Sequence, residues 1–530
     1  MSSHTSQATS SLTTLHTLLE RLPEGWALAA PETPLSEAAL SAAIPAITDD
    51  SRQVTPGALF VAYRGRKTDS HRYLAQAAQA GACAVAGERP RAELPTPLPE
   101  TVPYWQVKDG RLAFALLSAA YYEFPSRKMI VVGVTGTDGK TTTSTLTHSV
   151  LRAHGLQTGL ISTIAAQVGG DELDTGFHVT TPEAFALQGF LAQMAANGSQ
   201  AVVLETTSHA LDQKRVAWVD YDVAAVTNVT HEHLDWHGTW ENYMNAKADL
   251  FRALRISAHK PGVAKSAIMN RDDASYRYLE PIWAEQKLTY SLRADAQATI
   301  SARDITSGRD GMRFTLVSPA GEAPVRLNLF GSYNVANALA ATGVGLALGV
   351  PLPTIVKGLE AVRRIKGRME LVYQGDFDVF VDFAHTPNAL RETIRLAHTL
   401  VRPGGRVIVV FGSAGLRDVE KRALMGQEAV AADFSVITAE DPRTENVNDI
   451  IEEIVSGLRE KGAREGDDFV REPDRAEAIA TAVRLARPND LIVTCGKAHE
   501  TSMCYGEVET PWDEFAAVRS ALARRGLSVD

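Results

Sequence analysis

Short apolar runs recur along this chain, each closing on a polar cluster and each followed by a segment of helix length. Residues 129–132 (Met-Ile-Val-Val) form one such run, and 201–204, 223–226, 379–383, 406–411, 435–438 and 490–494 form others. Continuous apolar runs without alternation are expected of strands buried on both faces. Between them, 140–154, 182–196, 240–251 and 334–348 read as helices. Strand and helix in alternation predict parallel sheets covered by helices.

The rhythm divides into three blocks. Residues 1–126 carry a strand-like segment at 59–63, helices at 73–80 and 111–123, and a Pro-rich stretch at 90–103. Phe124-Pro125-Ser126 breaks the pattern and predicts a boundary. Residues 127–365 form the second block. Residues 366–530 repeat the rhythm as a second open α/β sheet, whose ligands belong at the carboxyl ends of its strands. The first 14 residues, rich in Ser and Thr, read as a disordered tail and not as a signal peptide.

Bulk properties narrow the classes. A chain of 530 residues exceeds one core and predicts several domains. The formal charge of −10 disfavours a general nucleic-acid binder. Cys83, Cys495 and Cys504 fit neither a metal spacing nor a disulfide framework, which suits a reducing cytoplasm. No apolar stretch approaches the ~20 residues a membrane helix needs.

Chemistry enters at residues 133–142, Gly-Val-Thr-Gly-Thr-Asp-Gly-Lys-Thr-Thr. A glycine-rich turn between strand and helix aims backbone N–H groups and a positive helix end at one point, which suits a polyphosphate. Lys140 supplies charge for the terminal phosphates and Thr141 a hydroxyl for Mg2+. The spacing departs from the common phosphate loop: five residues separate Gly133 from Gly139, and Gly136 falls among them.

Polar clusters follow four of the apolar runs: 205–209, 227–238, 382–387 and 412–417. In an open sheet such positions converge on one crevice. Glu205 is placed to hold magnesium or a magnesium-bound water, since that ion takes oxygen ligands and keeps several waters. His231, His233 and His237 invite a zinc reading, but they lack a cysteine or a spaced fourth ligand, and acidic neighbours favour magnesium. By spacing alone Lys247 is an ordinary helix lysine.

Together these residues resemble the Mur ligases, ATP-dependent enzymes that build the peptide stem of bacterial cell walls. The chain is most similar to the MurE type, which adds a diamino acid to UDP-N-acetylmuramoyl-L-alanyl-D-glutamate. The resemblance spans about residues 45–520. It implies three α/β domains: a UDP-binding N-terminal domain, a central parallel-sheet ATPase domain and a C-terminal Rossmann-like domain. It also implies ATP as co-substrate, two magnesium ions and a cytoplasmic monomer.

Residue by residue, Ser51 and the loop Arg66-Lys67-Thr68 are implied to touch the UDP moiety. Gly136, Thr137, Asp138, Gly139, Lys140, Thr141 and Thr142 match the family's ATP loop, with Asp138 where Asn is common. Thr180, Thr181, Thr207, Gln213 and Arg215 fall on dipeptide-binding positions. His233 falls on a magnesium ligand, and Lys247 on the lysine that is carbamylated to a carboxylate-like group holding a second Mg2+. Asn334, Asn337, Arg368 and Asp382 lie on the nucleotide side.

The implied amino-acid pocket comprises Arg417, Glu440, Asp441, Pro442, Arg443, Gly496 and Glu500. Glu440-Asp441-Pro442-Arg443 stands where Asp-Asn-Pro-Arg accompanies meso-diaminopimelate. Arg443 suits a distal carboxylate, whereas the extra negative charge of Glu440 and Asp441 suits a bare ammonium end. The expectation leans to lysine or ornithine, with meso-diaminopimelate as the alternative. A folylpolyglutamate synthase-like ligase and a non-ligating phosphate-loop regulator are the rival readings.

Overall fold

The computed structural model describes residues 13–31, 34–66, 68–173, 180–230, 234–293, 297–416 and 418–528. Strands β1 (Ile47–Thr48), β2 (Leu59–Val61), β3 (Ala84–Gly87) and β4 (Tyr104–Gln106) make a parallel sheet in that order. The helix Gly110–Tyr121 closes it, started by Asp109, whose carboxylate accepts from Leu112 N. Phe114 and Leu117 of this helix join Val61, Ala84 and Trp105 in one apolar core. Residues 13 and 14, counted in the expected tail, belong to the folded chain, and residues 1–12 lie outside the described residues. Thr14 caps the helix Leu15–Glu20 by accepting from Thr17 N, and Leu15 and Leu18 are buried. A threonine just before an apolar-periodic segment is an N-cap signal that the Ser/Thr composition concealed.

The central sheet contains β5 (Ile130–Thr135), β6 (Thr158–Ile161), β7 (Ala166–Val168), β8 (Asp171–Leu173), β9 (Ala201–Glu205), β10 (Val223–Val226), β11 (Ser266–Asn270), β12 (Gln286–Ser291), β13 (Ile300–Gly308), β14 (Gly311–Ser318) and β15 (Gly321–Leu327). Their order is β15-β14-β13-β12-β11-β10-β5-β9-β6-β7-β8. The middle of the sheet is parallel, as expected, and antiparallel strands extend it at both ends. β6 and β9 to β13 run parallel with β5, but β14–β15 and β7–β8 are antiparallel extensions at its two ends. These outer strands alternate buried with exposed residues, so they lack the continuous apolar runs that mark the middle of the sheet.

β5 lies at the centre between β9 and β10. Its Val132 and Val134 pack against the helices Lys140–Ala153 and Ser332–Ala347. Its Val131 packs on the opposite face, with Leu250 and Phe251 of the helix Trp240–Ile256. The carboxyl ends of β5, β9 and β10 therefore open at one edge.

The last sheet is formed by β16 (Glu370–Gln374), β17 (Asp378–Asp382), β18 (Val407–Phe411), β19 (Phe434–Ile437), β20 (Phe469–Arg471) and β21 (Leu491–Cys495), in the order β16-β17-β21-β18-β19-β20. β16 is antiparallel and the others parallel. A hairpin, β22 (Ser502–Tyr505) and β23 (Val508–Pro511), follows it. Among the described residues, no helix is long and apolar enough to cross a membrane.

Candidate active site

A cavity of about 880 Å³ lies where the central and C-terminal sheets face each other. Thr141, Glu205 and Asn337 line it from the central domain, and Arg368, Asp382 and Glu500 line it from the C-terminal domain. The loop 136–139 leaves β5 and enters the helix Lys140–Ala153 through Gly139 in the left-handed region. Gly136 has φ +147°, and a Cβ there would lie 1.8 Å from Thr227 Oγ1. Only glycine meets both constraints.

The loop is held in shape before any phosphate arrives. Thr137 N donates to Asn228 O at 2.7 Å, and Asp138 N to Asn228 Oδ1 at 3.0 Å. Thr227 Oγ1 donates to Asp138 O at 2.6 Å. Lys140 Nζ folds back onto Thr137 O at 2.7 Å, at the rim of the loop. On the helix Ser332–Ala347, Asn337 Nδ2 donates to Asn334 Oδ1 at 2.9 Å, and Thr143 Oγ1 donates to Asn337 Oδ1 at 3.2 Å.

Glu205 ends β9 and is 1 % exposed. Thr141 Oγ1 donates to its carboxylate at 3.1 Å, Thr163 N at 3.0 Å and Thr163 Oγ1 at 2.9 Å. Thr163 Oγ1 also lies 3.2 Å from Thr180 Oγ1. Two hydroxyls and a carboxylate thus converge, an all-oxygen set suited to a hard cation such as magnesium. From the other domain, Arg368 donates to Thr141 Oγ1 at 3.1 Å and stacks 4.7 Å from the Phe383 ring centroid. Burial pulls the Arg368 guanidinium below its ordinary value, and the carboxylates of Asp382, Glu205 and Asp138 oppose that pull. Asp382 accepts from Met369 N and from Thr393 Oγ1, which fixes the turn that carries Arg368.

Lys247 is 1 % exposed and donates to Gly136 O at 2.6 Å, with its Nζ 4.4 Å from the Tyr243 ring centroid. The helix lysine is therefore buried against the phosphate loop instead of solvated. It stands behind the loop and not on the cavity wall. His231, Glu232 and His233 lie outside the described residues. Among the described residues, no three His, Cys, Asp or Glu side chains cluster as metal ligands.

Thr180, Thr181, Thr207 and Arg215 line the same cavity. Arg215 donates to Thr181 O at 3.1 Å and to Gln213 Oε1 at 2.7 Å, and pairs with Glu183 at 2.8 Å. The expected UDP-side residues are set apart from that cavity. Ser51 opens a short 3-10 helix, Thr68 O accepts from Gly65 N, and Lys67 lies outside the described residues. Arg66 stacks 4.3 Å from the Trp236 ring centroid, tying the first domain to the central one.

At the far end, Glu500 lines the cavity, while Glu440, Asp441, Pro442, Arg443 and Gly496 sit behind it. Asp441 Oδ1 accepts from Lys497 Nζ at 2.9 Å and from Cys504 N at 3.0 Å. The charge assigned to Asp441 from sequence is therefore already paired. Burial pushes the Glu440 carboxyl up, and its Oε2 has no hydrogen-bond partner among the described residues. Arg443 has φ +53°, is held through its backbone by Cys504 and Gly506, and keeps a buried Nε without a partner among the described residues. Arg417 lies outside the described residues.

Sequence reasoning passed over Thr163, Asn388 and Lys497. Thr163 follows β6 as Glu205 ends β9, so the rule of strand ends would have found it. Asn388 Nδ2 reaches Asp138 Oδ2 at 3.1 Å across the domain seam, a contact with no signal in local sequence.

Family models match the chain in order. The Mur ligase family catalytic domain covers 43–122, the Mur ligase middle domain 134–345, and the Mur ligase glutamate ligase domain 367–498. The UDP-N-acetylmuramyl-tripeptide synthetase of Roseiflexus sp. (strain RS-1) is 46% identical over 493 residues, 91% of this chain and 95% of that protein. The UDP-N-acetylmuramoyl-L-alanyl-D-glutamate--2,6-diaminopimelate ligase of Geobacillus thermodenitrificans (strain NG80-2) is 38% identical over 517 residues, 96% and 99% of the two chains. A solved structure of a UDP-N-acetylmuramoyl-L-alanyl-D-glutamate--2,6-diaminopimelate ligase aligns with a TM-score of 0.63 at 28% identity, over 98% of this chain and 100% of that one.

Proposed function

The chain belongs to the Mur ligase family of ATP-dependent amide ligases, and from that premise we propose that it joins a diamino acid to the D-glutamate γ-carboxylate of UDP-N-acetylmuramoyl-L-alanyl-D-glutamate. One observation carries the reading. The phosphate loop, the Glu205 oxygen cluster and the Thr180–Thr181–Arg215 group open onto a single cavity, which Arg368 reaches from the other domain. The labour divides as residues 1–126 for the nucleotide sugar, 127–365 for ATP and the dipeptide, and 366–530 for the incoming amino acid.

The γ-carboxylate oxygen attacks the γ-phosphorus of ATP as the bond to the bridging β–γ oxygen breaks, giving an acyl phosphate and ADP. The amine then attacks the acyl carbon, phosphate leaves and the nitrogen loses a proton. Phosphoryl transfer needs positioning and charge neutralisation more than covalent help from the protein. Lys140 is within reach of the terminal phosphates once it leaves Thr137 O. Arg368 supplies a second cation beside Thr141. Thr141 and Glu205 would hold magnesium, and carbamylated Lys247 with His233 would hold a second ion. Magnesium bound there would neutralise the phosphate oxygens. Arg215, braced by Gln213 and Glu183, would orient the dipeptide carboxylates.

For the third residue the reading favours lysine or ornithine, because the buried Glu440 Oε2, without a partner among the described residues, would be satisfied by an ammonium. The buried Nε of Arg443, without a partner among the described residues, supports meso-diaminopimelate as the second reading. Phosphate release tests the ligase: it should require both the dipeptide precursor and a diamino acid, and release indifferent to either sinks the assignment. Competition among the three diamino acids tests the finer choice. A preference for meso-diaminopimelate beyond about tenfold, ~1.4 kcal/mol, removes lysine and ornithine.

A further inference from the structure

Lys497 is a fully buried lysine in a pocket rich in carboxylates. Its side chain is 0 % exposed, and its Nζ pairs with Asp441 at 2.9 Å and with Glu500. Glu500 lines the cavity. Asp441 in turn accepts from Cys504 N on β22, and its carbonyl accepts from Gly415 N at 2.7 Å, in the loop that leads to Arg417. The ammonium thus ties the turn 440–443 to the segment after β21, and the Asp441 backbone ties that turn to the loop after β18. A Cβ on Gly496, the residue before Lys497, would come 2.8 Å from Glu440 Oε2, so Glu440 lies against the same segment.

We propose that Lys497 is the positioning residue of the amino-acid pocket. Its single positive charge pairs with Asp441 and is shared with Glu500, so it offsets the acidic residue at 441 and leaves Glu440 and Arg443, beside the residual charge at Glu500, to sort diamino acids by the charge of their distal end. The proposal rests on the ligase reading above. It assigns Asp441, which stands where Asn accompanies meso-diaminopimelate, to Lys497 and not to the substrate. The acidic substitution at 441 is then silent in the pocket, because the ion pair absorbs its charge. Removing Lys497 takes a counter-ion from two carboxylates, whereas removing the Asp441 charge leaves Lys497 paired with Glu500, so the two removals shift the charge of the pocket in opposite directions.

The test is the selectivity ratio, kcat/KM for lysine over kcat/KM for meso-diaminopimelate, in the full-length enzyme. Lys497→Met leaves the pocket more negative and should raise the ratio at least tenfold. Asp441→Asn leaves it more positive and should lower the ratio at least threefold. The double variant should return to within about threefold of the parent, with KM for ATP unchanged in all three. A packing role alone would weaken both diamino acids equally, and an unmoved ratio, or shifts in the same direction, overturns the assignment. Should Lys497→Met fail to fold, the isosteric Asp441→Asn decides by the sign of its own shift. A parent enzyme that ligates none of the diamino acids would instead overturn the ligase reading, and this one with it. Normal parent activity with an unmoved ratio overturns only the role of Lys497.

Discussion

Arg368 donates to Thr141 Oγ1 at 3.1 Å, joining the C-terminal domain to the first turn of the phosphate-loop helix. The hydroxyl proposed to face magnesium is therefore touched by a cation from the opposite domain, and ATP binding and domain closure share one contact. Arg368→Ala should lower kcat by about 100-fold, the usual cost of losing a preorganised charge at a phosphoryl-transfer site. Steady-state kinetics at saturating ATP checks this. A variant with parental kcat and a raised KM for ATP would mean that Arg368 only binds the nucleotide.

Thr163 offers both its backbone N–H and its hydroxyl to Glu205. Thr163→Val keeps the first bond and removes the second. A hydrogen bond to a charged group contributes about 1.5–3 kcal/mol, so kcat/KM should fall about tenfold or more and the magnesium requirement should rise. Thr163→Ser should retain most activity. Magnesium titrations of the two variants check the prediction, and equal behaviour of valine and serine contradicts it.

Lys247→Ala should abolish ligation. If the lysine acts as its carbamate, bicarbonate or a short carboxylate should partly restore turnover in the alanine variant. Mass spectrometry of the intact parent chain gives an independent reading, through the added mass of carbon dioxide. Full activity of Lys247→Ala would refute the role.

Gly136→Ala places a methyl group 1.8 Å from Thr227 Oγ1 at a φ of +147°. The backbone strain alone costs about 1–3 kcal/mol, and the loop should lose its cradle for phosphate. Calorimetry should show weakened ATP binding together with a lowered Tm. Adding Thr227→Ala removes the clash but not the strain, so it should recover only part of the loss.

His148 is buried, with Nε2 3.0 Å from Thr158 O, and burial pulls its pKa down to about 4. In the unfolded chain its pKa is near the ordinary ~6.5. Between these values the unfolded state binds the proton and the folded state does not, so stability falls as pH drops from about 6.5 towards 4. His499 adds to the same trend further down, since burial followed by nearby Arg368 pulls its pKa to about 3. His148→Asn should flatten the loss above pH 4. Denaturant midpoints measured across that window check the slope.

The strand ends and the phosphate loop were legible because each rests on a local signal. A buried parallel strand needs an uninterrupted apolar run, and a phosphate loop needs glycines beside a lysine and a threonine, so β5, β9, β10 and Lys140 stand out in the chain itself. Strands β13 to β15 were not legible, because buried, half-buried and exposed residues mix along them and no continuous apolar run marks them. Lys247 looked like any surface lysine, and only the packing of its helix against β5 buries it beside Gly136 O.

Sequence alone determined the kind of engine: an ATP loop, a strand-end glutamate and a three-block α/β chain, all written in residues close together. Tertiary structure decided which polar groups meet. Asp138 meets Asn388, Thr141 meets Arg368, and Asp441 meets Lys497, across separations of 250, 227 and 56 residues. Electrostatics depends on distance in space, and a linear pattern cannot tell a carboxylate that faces a substrate from one already paired inside the fold.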